Sequence, residues 1–504
     1  MTLVNRRACE ELCLVLTGLF AIFWAILRAC VQAITLDEAD TYFWFVARSA
    51  GYVFYPFSNN HVLNTLLMWM TTHAFGTSIV TVRAPALAGA IVYIFTCYFL
   101  CRSITSQFRL QLCIFICLTY NPFICDFMVA ARGYSLADAF LLAAVAVPVW
   151  HRAKGEPPLR ECCIWASLAL GLSFTANFSF AFPDLAAYLG ILSWAIRRRE
   201  KESIKRVVEW CTLPGLFVAL LLCGYPLTHW KREDLWWGAH SFGEMTRSLV
   251  QSSLYQLNPG FRDSGLYWLM DFLKPLLLPV LGVLCACQLV VTRLEGSWLR
   301  DASTRWLGRF AAALAGIVIL SMAMSWLAFR VDKLPLPLGR TGIYLVPLCT
   351  LIAGIIAAAP AQSTVSRWLG RAISGVLICL ACYFLLCLRL TYFREYEWDA
   401  DVKDIYSVLA RMNHTYGVTD VGVAGFYLSP LNYYRVMSRG ESFSEFTLVE
   451  PESHVDKPVY VMHGLYEKGF LEREKLVVIY KGKKSGVVIA VKPDGVVPGR
   501  LVEP

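Results

Sequence analysis

Three carboxylates fall within four residues in the segment Thr35-Leu36-Asp37-Glu38-Ala39-Asp40, directly after a long apolar run. Carboxylates at such a boundary suit two kinds of chemistry: taking a proton from an attacking hydroxyl, or holding a divalent cation through hard oxygen ligands. If the segment is helical, Asp37 and Asp40 lie on nearly one face while Glu38 points elsewhere. A structural use competes with both, because acidic side chains also favour the unpaired N–H groups and dipole of a helix N-terminus.

A second set is basic. Arg83 precedes an apolar run, Arg132 sits in Ala131-Arg132-Gly133-Tyr134, and Arg330, Lys333 and Arg340 precede Thr341-Gly342-Ile343-Tyr344. A guanidinium donates two parallel hydrogen bonds to a phosphate diester and so suits a phosphate headgroup at a membrane surface; anchoring or snorkelling is the plainer use of any one arginine. Asp126 and Asp138 flank Arg132 in or near apolar runs, where an ionisable group is costly and tends to have a partner. His61, after Ser58-Asn59-Asn60, is either a polar anchor at the start of a helix or a hydrogen-bonding group of an active site. Trp230, Trp236, Trp237 and His240 share one loop, where aromatic rings could stack on a sugar or simply sit at the membrane interface.

The elements that must position these residues follow from composition. Of 504 residues, 57% are hydrophobic and 16% charged, which excludes a water-soluble domain. Apolar runs near twenty residues recur, each able to cross about 30 Å of hydrocarbon. They are Leu12 to Ala33, Ala84 to Leu100, Leu110 to Val129, Tyr134 to Trp150, Glu161 to Ala176, Ala181 to Ile196, Val207 to Tyr225, Leu266 to Val290, Trp306 to Ala328, Thr341 to Ala359 and Arg371 to Arg389. About eleven spans make this an all-α polytopic membrane domain. The run His61 to Phe75 is shorter and carries Asn64, Thr65, Thr71, Thr72 and His73, so it reads as a juxtamembrane, interfacial helix.

Leaving that helix out of the count puts the basic clusters around Arg6, Arg102, Arg152, Arg197 to Arg206, Arg293 to Arg309 and Arg367 to Arg371 all on one side, as the positive-inside rule requires. Residues 37–75, 130–133, 177–180, 226–265 and 330–340, and everything after Thr391, then face outward together. The expectation is a multi-pass protein of the plasma membrane with its polar candidates extracytoplasmic. The 46 Lys and Arg against 37 Asp and Glu, net +9, sit in those short clusters, so nucleic acid is not an expected partner. Nearly all of the 18 cysteines lie within or beside apolar runs and act as small packing residues.

The tail changes character. Val402, Ile405, Leu409 and Met412 keep helical register, while Val421 to Ala424, Val459 to Met462, Leu476 to Tyr480 and Val487 to Val491 read as short buried strands. Two domains are therefore expected: a membrane domain over residues 1–391 and a small α/β domain over 392–504.

Taken in order, these residues resemble the GT-C glycosyltransferases, within them the family that groups protein O-mannosyltransferases with bacterial lipid A aminoarabinose transferases and RgtA/B/C/D-like enzymes. The resemblance is carried by Asp37-Glu38 after the first span, Asn60-His61 at the start of a juxtamembrane helix, Phe75-Gly76 followed by Arg83-Ala84-Pro85, Ala131 to Tyr134, and Gly339-Arg340 followed by Tyr344 and Pro347. It implies a GT-C-type membrane domain that moves a sugar from a polyprenyl-phosphate donor to a lipid, glycan or protein acceptor, with inversion. It further implies Asp37 as base with Glu38 beside it, and Arg132, Arg340 and Arg83 on the donor phosphate. His61, Asn60, Tyr134 and Tyr344 would be on the substrates. No cofactor is expected; a divalent metal on Asp37 and Asp40 is the less favoured option. A lipid-linked sugar flippase and a non-catalytic scaffold are the alternatives; the flippase is disfavoured by the nearly apolar stretches Leu141 to Val147 and Leu216 to Leu222.

Overall fold

The computed structural model describes residues 3–438, 440, 442–450, 452 and 456–493. The chain divides into two compact units, the first formed by Met1–Ile26, Phe54–Leu66 and Pro85–Leu388, the second by Leu27–Val53, Leu67–Ala84 and Arg389–Pro504. Residues 494–504 of the expected tail domain lie outside the described residues.

Among the described residues, eight helices are long and apolar enough to cross a membrane: Arg6–Val31, Ile79–Ile104, Tyr134–Ala153, Phe178–Arg198, Ile204–His229, Gly265–Leu294, Ala302–Asp332 and Thr364–Leu386. Phe108–Thr119 and Leu345–Ala357 are shorter apolar helices, and Leu159–Ala176 accounts for the remaining expected run. Outward faces of these helices carry Leu12, Phe217, Phe272, Val283 and Ile319, all more than half exposed, an apolar surface of the kind that lipid covers. The protein is a multi-pass membrane protein.

One expected span is corrected. Leu110 to Val129 is not continuous: its helix stops at Thr119, and a short helix, Pro122–Phe127, restarts after Asn121, whose side chain accepts the N–H of Phe123 at 3.0 Å. Proline has no N–H to continue the ladder and disfavours helical geometry in the residue before it, so Asn121-Pro122 breaks the run. Small residues set another feature of the bundle, the close crossing of Leu159–Ala176 with Ile204–His229. A Cβ on Gly215 would stand 2.2 Å from the Ser167 carbonyl oxygen, so only glycine permits this approach.

Contacts within the first unit sort its connections into two groups. On the acidic and aromatic side, Ser58 donates to the Asp234 carbonyl at 2.7 Å, Phe178 meets Trp230 at 4.5 Å and Phe180 meets Tyr344 at 5.7 Å between ring centroids. On the basic side, Glu156 pairs with Arg198 at 3.0 Å and Arg152 lies 4.9 Å from the Trp306 ring. Segments that the charge rule assigns to one face therefore do touch one another.

The second unit contains a five-stranded sheet of β1 (Val421–Val423), β2 (Thr447–Leu448), β3 (Val459–His463), β4 (Val477–Lys481) and β5 (Val487–Val491), in the order β2-β1-β3-β5-β4. β1 runs parallel to β2 and β3, while β5 is antiparallel to β3 and β4. The continuous apolar runs of β1, β3 and β5 are buried throughout, as strands covered on both faces must be. The helix Val402–Tyr416 buries Val402, Ile405, Leu409 and Met412. A second helix, Gly425–Met437, was not expected from sequence, because Pro430 and a run of tyrosines blur its period.

Candidate functional site

Leu36–Thr41 is helical, and its own sequence fixes the start: Thr35 accepts the Glu38 N–H at 3.2 Å while Glu38 accepts the Thr35 N–H at 2.9 Å, a reciprocal capping box. Glu38 is fully buried and grips Arg83 with both oxygens, at 2.9 Å to Nε and 2.7 Å to Nη2. The remaining N–H groups of Arg83 bind the carbonyls of Ala29 at 3.1 Å, Gln32 at 3.0 Å and Ala33 at 2.6 Å. With its five donors so engaged, Arg83 presents none to a phosphate, contrary to the role the sequence suggested. The structural use of an acidic helix start thus falls to Glu38, whereas Asp37 and Asp40, on the other face, stay half-buried.

Two residues that sequence reasoning missed bear on this helix. The Tyr396 hydroxyl donates to Asp37 Oδ2 at 2.9 Å, and Asp399 Oδ2 accepts the Leu36 N–H at 2.8 Å. Asp399 is buried, and burial pushes its carboxyl well above the usual range; the charges of Asp37, Glu38 and Asp40 push the same way, against the Leu36 N–H. The alternation of acidic and aromatic residues in Glu395-Tyr396-Glu397-Trp398-Asp399 was the available signal. Near the helix, the Phe393 ring has the Arg28 and Arg83 guanidiniums at 5.4 and 5.0 Å, Tyr433 meets Tyr42 edge-on at 5.4 Å, and the Tyr434 hydroxyl accepts the Ile34 N–H at 3.2 Å.

In the first unit the loop Ala131-Arg132-Gly133 enters the helix Tyr134–Ala153. Gly133 has φ +74, and a Cβ there would stand 2.1 Å from the Ala176 carbonyl oxygen, so conformation and space both require glycine. Asn64 donates to the Ala131 carbonyl at 3.0 Å and Asn177 to that of Arg132 at 3.3 Å. Arg132, only 1% exposed, donates through Nη2 to Asn59 Oδ1. The His61 ring lies 5.7 Å from that of Tyr134. Asn60 works within the fold, donating to the Tyr55 carbonyl at 3.0 Å and accepting the Thr65 hydroxyl at 2.8 Å.

The same unit joins Arg340 to the tryptophan loop. Ala239 and Leu336 exchange backbone hydrogen bonds at 2.8 and 2.9 Å, Ser248 accepts the Gly339 N–H at 3.0 Å, and Arg340 comes to lie 5.9 Å from the Trp237 ring, whose face attracts a cation. Trp236 and Trp237 are both more than half exposed. Tyr344 is buried against Phe180 as a core side chain. Asn177 and Asn413, which stand in glycosylation-like triplets, are buried with their amides bound to backbone carbonyls, which argues against modification of either. Among the described residues, no three His, Cys, Asp or Glu side chains converge to hold a metal.

No protein-family model matches the chain, and no curated protein is similar to it in sequence. Solved structures do resemble it. ArnT from Cupriavidus metallidurans in the apo state is 11% identical, with 96% of this chain and 98% of that one covered and a TM-score of 0.51. The same protein bound to undecaprenyl phosphate gives 10% identity, coverage of 97% and 99%, and a TM-score of 0.48. Arabinofuranosyltransferase AftD from Mycobacteria gives 12% identity, coverage of 95% of this chain and 39% of that one, and a TM-score of 0.45. Over nearly all of both chains this protein shares the fold of ArnT.

Proposed function

We propose that this protein is a membrane glycosyltransferase that moves a sugar from a polyprenyl-phosphate donor to an acceptor hydroxyl on the extracytoplasmic face, with inversion. The observation that carries the reading is the division of labour on the acidic helix. Glu38 is locked by Arg83, while its neighbour Asp37 stands on the less buried face with one oxygen held by a tyrosine. A carboxylate oriented in this way can accept a proton from an attacking hydroxyl. The fold shared with ArnT agrees with it.

In the proposed reaction the acceptor oxygen attacks the anomeric carbon as Asp37 takes its proton, and the bond from that carbon to the phosphate oxygen breaks. A single displacement inverts the centre. Charge gathers on the departing phosphate, for which a guanidinium is the natural partner, so Arg132 and Arg340 are assigned to it. His61, Tyr134 and the exposed Trp236 and Trp237 are assigned to the substrates, with Asn60 and Tyr344 supporting them from within the fold. The basic connections of the first unit face the cytoplasm, as the bias in membrane loops demands. The proposed reaction needs no metal: activity is expected to survive EDTA, and inhibition reversed by manganese or magnesium would overturn that part.

The test is mass spectrometry of lipid-linked sugars and outer glycans in a deletion strain. One polyprenyl-phosphate sugar is expected to accumulate and one outer glycan to lose a sugar, both corrected by the wild-type gene and not by Asp37→Asn. Unchanged lipid-linked sugars and glycans would overturn the reading.

A further inference from the structure

Beyond the acidic helix itself, the segment that begins the last stretch of the second unit reaches that helix at two points. A single turn, Glu397–Asp399, is closed by the Asp399 N–H donating to the Tyr396 carbonyl at 3.0 Å, which brings the two side chains to the same side. Tyr396 donates to the side chain of Asp37 and Asp399 accepts from the backbone of Leu36, one residue earlier. Both residues are 2% exposed, although they lie about 360 positions along the chain from their partners, as the separations of 359 and 363 record. Burying a tyrosine hydroxyl and a carboxyl costs free energy unless each is bonded, and here each makes such a bond to the acidic helix. Tyr396 is itself fixed by Phe393 at 6.0 Å and Trp398 at 5.9 Å between ring centroids.

We infer that Tyr396 is a positioning residue for Asp37, and that residues 396–399 form a clasp that fixes the orientation of this carboxylate for proton transfer. The inference rests on the proposed transfer reaction with Asp37 as base. A hydroxyl donating to one carboxylate oxygen fixes the plane of the group and favours its charged form, which is the form a base needs. Among the described residues, the ionisable groups around the helix include Arg28, Glu38, Asp40, Arg83, Asp399, Tyr42, Tyr433 and Tyr434, and a Tyr396→Phe change leaves every one of them in place.

The experiment uses the full chain purified in nanodiscs, with the polyprenyl-phosphate sugar isolated from the deletion strain as donor. Tyr396→Phe is expected to lower kcat about tenfold with the donor KM within about twofold, since the lost bond acts on the base and not on donor binding. The acid limb of its kcat profile is expected to move to higher pH, because a carboxylate that loses a donor is easier to protonate. Combined with Asp37→Asn, the Phe change is expected to add nothing further, as for two residues acting through one group. Asp399→Ala, which opens the clasp at its other end, is expected to lower kcat at unchanged donor KM. Wild-type kcat in both single variants, or a fall in kcat with an unmoved acid limb, overturns the clasp. Full activity in Asp37→Asn sinks the base assignment instead, and an inactive Asp37→Asn beside an unaffected Tyr396→Phe sinks the clasp alone.

Discussion

At the acidic helix of the second unit, charge is set against charge: Glu38 and Arg83 are both fully buried and satisfy each other with two short hydrogen bonds. At the Arg132 loop of the first unit, backbone geometry carries the load. Gly133 threads past a carbonyl oxygen in a conformation that other residues avoid, and Asn64 and Asn177 tie down the neighbouring carbonyls. With the raised carboxyl of Asp399 beside that pair, the first region is sensitive to charge and pH, and the second to volume. Each is a way of fixing a functional side chain where water is scarce, through a neutralised partner in one case and a forced backbone path in the other.

The largest effect that bears on this contrast is chemical. Asp37→Asn is expected to lower kcat by about a thousandfold or more while melting temperature stays unchanged and donor affinity holds within about tenfold, as measured by transfer assay and thermal unfolding. A variant that binds donor poorly but turns over normally would mean that Asp37 belongs to binding. Next comes Arg83→Ala, which strands a buried carboxylate and is expected to cost about 3–5 kcal/mol in denaturant unfolding. Adding Glu38→Gln should recover part of that loss, and no recovery would show that the carbonyl bonds of Arg83, rather than the ion pair, hold the corner.

Gly133→Ala tests the other region. The strained backbone and the contact at 2.1 Å are expected to cost about 2 kcal/mol or more, with the same cost at pH 5 and pH 8. A strong pH dependence of that cost would erase the distinction drawn between the two regions. The smallest effect belongs to Asp399. Its folded-state carboxyl holds a proton above the usual carboxylate range while the unfolded chain releases it, so the folded state binds more protons and stability falls as pH rises above about 4. Asp399→Asn should flatten that slope in unfolding curves taken from pH 4 upward, and an unchanged slope would place its origin elsewhere.

Length of apolar run and strand-length blocks of valine are local properties, and they sufficed for the eight long apolar helices and the positions of the strands β1, β3, β4 and β5. The broken helix at Asn121-Pro122 is equally local, but the apolar residues on both sides of it mask the break. Roles within the acidic segment were not legible in the same way. Sequence placed Asp37 and Glu38 side by side, but which one becomes structural depends on where Arg83, 45 residues on, places its guanidinium. That Tyr396, 359 positions away, meets Asp37 depends on how the chain returns. Hydrophobic period and charge bias are summed along the chain and survive without coordinates; the partner of a buried polar group is a single contact between distant residues, and only the folded structure selects it.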